Sequence, residues 1–125
     1  MNREKENRVF KVNETGYHKS AKLILAEWVN GIPEYPLTVR GAYVIVPDVV
    51  CFIDGILNCA YEVTYKNPLS GRKLGLYEYW AYMNNTTLAV FEVNADYILK
   101  QTEKPSFIKS EYYIIDPYNF EQCTF

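Results

Sequence analysis

Residues 47–63 read PDVVCFIDGILNCAYEV, two apolar runs separated by Asp54-Gly55, with Asp48 near one outer end and Glu62 near the other. Asp-Gly between β-rich runs is a hairpin signal, so this stretch predicts two antiparallel strands. A carboxylate removed from water without a partner costs several kcal/mol, so acids inside such strands must be paired, metal-bound or neutral. The register of the hairpin decides which. With a two-residue loop, Asp48 faces Tyr61 and Glu62 points to the opposite side of the sheet. With a three-residue loop, Ile53-Asp54-Gly55, a type I turn plus bulge, Asp48 faces Ala60 and Glu62 lies beside it, diagonally across on the same face. The expectation is the three-residue loop. It puts Asp48, Val50 and Phe52 with Ala60, Glu62 and Thr64 on one face, and Leu57 with Cys51 and Cys59 on the other.

Working outward, residues 17–31, YHKSAKLILAEWVNG, place Ala21, Ile24, Leu25, Trp28 and Val29 at helical spacing and stop at Asn30-Gly31. Leu37 to Ile53 is rich in β-formers. After the returning strand, Lys66-Asn67-Pro68 breaks the pattern, and Ser70 caps a second helix running to Asn84. Residues 86–94, TTLAVFEVN, form a strand expected to run parallel to that of Glu62. Residues 95–104 read as helical or irregular, and residues 110–115, SEYYII, as an added strand near an edge. The fold class is α/β, a mixed β-sheet flanked by helices in the order α-β-β-β-α-β. One domain spans 1–125, with a core over 17–96, a loose arm at 1–14 and an extension at 97–125.

Composition narrows the classes. Of 125 residues, 49% are hydrophobic and 16% aromatic, which excludes a disordered chain. The longest apolar run, Ala42 to Ile53, is too short and too interrupted to span a membrane. A charged N-terminus and an odd set of cysteines (Cys51, Cys59, Cys123) fit an intracellular protein, cytoplasmic or nuclear, with reduced thiols. Cys51 and Cys59 read as core filler. A net charge of -2 denies a general attraction for nucleic acid, so any such role needs a local patch.

The ordered set HKSAK (18–22), PDVV (47–50), AYEVTYKNP (60–68) and Lys73 resembles the PD-(D/E)XK nuclease superfamily, and more closely its competence-protein-like members. The resemblance covers about 17–96. It implies a restriction-endonuclease-like core and a metal-dependent nuclease that hydrolyses phosphodiester bonds in DNA, ahead of RNA. Asp48 and Glu62 would hold Mg²⁺ or Mn²⁺, and a lysine would assist the attacking water. Oxygen-only ligation suits these ions, which keep waters in their remaining positions. Where the motif has its lysine this chain has Thr64, whose hydroxyl positions a water but carries no charge.

Lys73 is the candidate substitute, and Lys66, just beyond the strand, is a second. Lys73 lies on one stripe with Leu76, Tyr77 and Trp80, and a cation in the first turn faces an unfavourable helix dipole unless an anion is near. Glu27 of the first helix is a further candidate metal ligand. His18, Lys19, Lys22, Arg40, Lys66 and Arg72 form the expected nucleic-acid patch. The twelve tyrosines read as packing ahead of base stacking, and Glu92, Asp96 and Asp116 as ordinary strand-end acids. The alternative is a catalytically inactive nuclease-like fold that binds protein or nucleic acid. DNA is the expected partner, a homodimer is allowed, and no membrane is involved.

Overall fold

The computed structural model describes residues 16–118; the arm at 1–14 and Cys123 lie outside the described residues. Helix α1 (Gly16–Val29) buries Ala21, Leu25 and Trp28 of the predicted stripe and half-buries Ile24 and Val29, with Lys22 and Ala26 buried besides. It ends where Asn30 turns left-handed at φ 54° and the Gly31 amide donates to Ala26 O. Strand β1 (Ile32–Pro33) follows, then β2 (Leu37–Val39), β3 (Ala42–Ile45), β4 (Val49–Ile53) and β5 (Ile56–Thr64). Helix α2 (Gly71–Asn84) leads to β6 (Leu88–Asn94), the short helix α3 (Ala95–Lys100) and β7 (Glu111–Ile115).

Five strands form a mixed sheet in the order β1-β4-β5-β6-β7, antiparallel except for the parallel pair β5–β6. The strand, helix, strand passage therefore makes the expected parallel crossover, and residues 110–115 supply the expected edge strand. The stretch Leu37 to Ile53 is not continuous. Arg40 and Gly41, both at positive φ, close a tight turn, so β2 and β3 pair as a separate two-stranded sheet.

The hairpin loop corrects the three-residue expectation. Ile53 pairs with Ile56, so Asp54 and Gly55 alone make the turn, at φ 53° and 79°, the conformation for which Asp-Gly is best suited. The extra residue sits further along: Phe52 pairs with Leu57 but Cys51 with Cys59, leaving Asn58 as a bulge. The bulge moves Leu57 onto the face of Ala60, against the expected pattern, and the step beyond Val49–Tyr61 brings Asp48 level with Glu62. The acids share a register position by a route other than the one expected.

Side chains alternate between two apolar layers. On one face Val50, Ala60, Leu88, Val90 and Ile115 pack with Tyr77, Trp80 and Ala81 of α2 and with the β2–β3 hairpin. On the other Val49, Val63 and Val93 meet Leu25 and Trp28 of α1 and Ile98 of α3. Among the described residues no helix is long and apolar enough to cross a membrane.

Gly31 marks the closest approach of α1's end to the sheet. A Cβ there would lie 2.6 Å from Val49 Cγ1 and 2.7 Å from Val50 O, and the backbone oxygen cannot step aside cheaply. Gly31→Ala is therefore expected to destabilise by about 1–3 kcal/mol, the ordinary cost of overpacking. Urea unfolding checks this, and an unchanged midpoint would contradict it.

Candidate active site

The start of β4 and the end of β5 meet between the two helices, which is why acids there are buried yet reachable by side chains from both layers. Glu62 is 1% exposed. Its Oε1 accepts from Lys73 Nζ at 2.7 Å, and its Oε2 accepts the hydroxyl proton of Tyr77, a side chain with no exposure. Lys73 and Tyr77 stand one turn apart on α2, so one helical face delivers both donors. Ser70 sets that face: its hydroxyl caps α2 by accepting from the Lys73 amide at 3.1 Å.

Asp48 is reached from the opposite side. The Val63 amide donates to its Oδ2 at 2.7 Å, His18 Nε2 lies 3.6 Å from the same oxygen, and Lys22 Nζ lies 3.5 Å from Oδ1. His18 Nε2 is also 2.9 Å from the Val63 carbonyl oxygen, which only accepts, so this nitrogen carries a proton. Lys22 is 5% exposed and bonds the half-buried Glu34 at 2.9 Å, completing an Asp48–Lys22–Glu34 chain that runs out toward the surface.

These surroundings drive the two acids apart. Burial pushes the Asp48 carboxyl up, but the His18 hydrogen bond, the Lys73 charge, the Val63 amide and Lys22 outweigh it and hold it below the usual carboxylate value. Burial and the Asp48 charge push Glu62 up to about 7 despite Lys73 and Tyr77. Lys73 is disfavoured as a cation by burial, yet the two acids more than offset this and raise its pKa, so it stays charged. Burial and Glu62 likewise keep the Tyr77 phenol protonated. Two carboxylates with divergent proton affinities beside a fixed cation are characteristic of a working site.

Asp48, Glu62 and Lys73 are thus brought together as expected, with His18 at the rim. Glu27 is not: it is exposed on α1, and no contact carries it to the acids. The Thr64 hydroxyl turns to Glu92 Oε2 at 3.1 Å rather than to Asp48 or Glu62. Lys22 is corrected from a phosphate-binding residue to a buried ion-pair partner, because its ammonium is taken by Glu34 and Asp48. Lys19, Lys66 and Arg72 are exposed on elements bordering the acids, with Lys66 Nζ 5.5 Å above the Tyr65 ring. Arg40 stands in the β2–β3 turn, carried by the other sheet.

Sequence reasoning missed Glu92 and the role of Tyr77. Glu92 pairs with Glu62 across β5–β6 and accepts from Thr64, the Leu69 amide and Tyr113, which ties down the loop ahead of α2. The signal for Tyr77 was its four-residue spacing from Lys73.

The donor set fits a hard divalent ion. Asp48 and Glu62 offer only oxygens, and Asp48 Oδ1 and both oxygens of Glu62 each keep a second lone pair. Among the described residues no group of three or more His, Cys, Asp or Glu side chains stands together. Two carboxylates would leave most of an ion's shell to water, an arrangement that Mg²⁺ and Mn²⁺ accept and Zn²⁺ does not favour. Compared with protein-family models, curated proteins and solved structures, the chain matches none.

Proposed function

We propose that this chain is a metal-dependent nuclease with a restriction-endonuclease-like core, hydrolysing phosphodiester bonds in DNA. The observation that carries the reading is Glu62, almost fully buried, level with Asp48, its proton affinity raised by burial and then by that second acid, and bonded to a lysine a third exposed. A purely structural acid gains nothing from a like charge beside it. A divalent ion held by Asp48 and Glu62 would lower the pKa of a bound water and neutralise charge building on the phosphate.

The chain's own groups do the rest. The Val63 amide and His18 hold Asp48 ionised and aimed inward. Tyr77 fixes the rotamer of Glu62. Lys73 stays charged at neutral pH, so it acts as a cation that hydrogen-bonds the water or a phosphate oxygen, not as a base. Thr64, bonded to Glu92, supports the loop that presents Lys73.

Cleavage of plasmid and single-stranded DNA with Mn²⁺, wild type beside Asp48→Ala, tests the reading. Wild-type cleavage that the variant lacks is the expected result. No cleavage by wild type, or equal cleavage by both, would leave the protein as a binding module.

A further inference from the structure

The face of the sheet turned toward α1 carries a row of aromatic rings that the acid site does not use. Tyr61, Phe91 and Tyr112 are direct partners across three adjacent strands. The Tyr61 and Phe91 rings stack with centroids 5.1 Å apart at 25°, and Phe91 and Tyr112 lie 6.2 Å apart at 41°. The row opens outward. Tyr61 is half-buried, whereas Tyr112 is 65% exposed and Ile114, on the same face of β7, is 54% exposed.

At its inner end the row enters a cavity of about 520 Å³, within the range of small-ligand sites. Trp28, Tyr61 and Ile108 line it together with Asn30, Asn58 and Lys104. Asn58 is there because the bulge throws it out of the ladder. Val29 and Asn30, at the C-terminal end of α1, line one side, and a helix C-terminus favours hydrogen-bond donors over anions. The cavity therefore suits a flat, uncharged ring bearing amino groups. Cationic groups stand at its rim and beyond: Lys104 lines it, and Lys100 and Lys109 are exposed nearby, on the segment that leads into β7. Flat rings linked by negative charges describe an unpaired nucleic-acid strand, because in a duplex the ring faces are already stacked.

We propose that this aromatic row and its cavity bind the bases of single-stranded DNA, with Tyr112 as the outer stacking platform and the cavity taking one base. The proposal deepens the nuclease reading by naming its substrate class. From Lys22, at the acids, to Val29, at the cavity, α1 advances by seven residues, about 10 Å, roughly three stacked nucleotides.

Fluorescence anisotropy with a labelled single-stranded dodecamer, its duplex form and an abasic dodecamer, all in EDTA, tests this without any cleavage. Wild type should prefer the single strand over both others. Tyr112→Ala, at an exposed edge position that leaves the core intact, should weaken single-strand binding about tenfold, Tyr112→Phe should retain it, and Asn58→Ala should weaken it as an independent probe of the cavity. Equal binding of duplex and single strand, or unchanged binding by both Tyr112→Ala and Asn58→Ala, would overturn the proposal. Mn²⁺-dependent cleavage reports separately on the acids: strand binding without cleavage would refute the nuclease reading and leave this surface standing.

Discussion

Glu62→Gln is expected to raise the melting temperature of the metal-free protein at pH 8 while removing Mn²⁺-dependent cleavage. The sign follows from linkage. Glu62 in the folded protein titrates at about 7 against an ordinary 4.5, so between these values the native state holds a proton that the unfolded chain has released. Stability from this group is complete below about pH 4.5 and falls as pH rises through 7. Above that, the fold carries the full cost of a buried second negative charge, on the order of a few kcal/mol. A neutral amide removes it, and its carbonyl still accepts from Tyr77. Lys73 is 37% exposed in its side chain and can swing to solvent. The melting temperature should rise by about 5–10 °C at pH 8 and change little at pH 5. A fall at pH 8 would mean that the Glu62–Lys73 pair is an ordinary stabilising ion pair.

Lys73→Met should act in the opposite direction. It keeps the length of the side chain but deletes the cation that offsets burial and Asp48 at Glu62. The proton affinity of Glu62 then climbs further, and the fold weakens at pH 8. Mn²⁺ should reverse this more strongly than it stabilises wild type, because the ion supplies the missing positive charge; at a hundred times its Kd a ligand adds about 2.7 kcal/mol. Cleavage at saturating metal should fall by about 10²–10³, the usual loss for one electrostatic donor. Thermal melts with and without Mn²⁺ read the first effect and single-turnover cleavage the second. Equal Mn²⁺ shifts in both proteins would show that no ion reaches Glu62.

Much of this was legible in the residues. Asn30 and Asn85, both left-handed after their helices, and Ser70 at its cap are local signals that tertiary context did not override. Lys73 could be singled out because a cation in a first helical turn needs an anion. The Arg40-Gly41 turn was missed although a charged residue and a glycine interrupt the run there, because the β-formers on either side read as one strand. Asn58 could not be read as a bulge: nothing local distinguishes it from a paired residue, and the layers that prefer Leu57 on the α2 side come from elsewhere in the chain. Lys22 looked like a phosphate ligand because its partners, Asp48 and Glu34, converge on it only when α1 docks. Glu92 looked ordinary because its importance depends on the parallel pairing with Glu62, a contact thirty residues distant.

The bulge at Asn58 imposes a rule on how such a sequence can change. Thirteen residues separate Asp48 from Glu62, and a tight turn plus one looped-out position is what makes that odd count work. Losing the Asn58 codon would straighten the ladder and leave Glu62 level with Asp48, whereas gaining a codon in this interval would turn Glu62 into the greasy layer beneath α1 unless a second position loops out. Descendants of this gene can therefore trade the looped-out residue for an unbroken ladder, whereas an added residue must be absorbed as another bulge or in a longer turn.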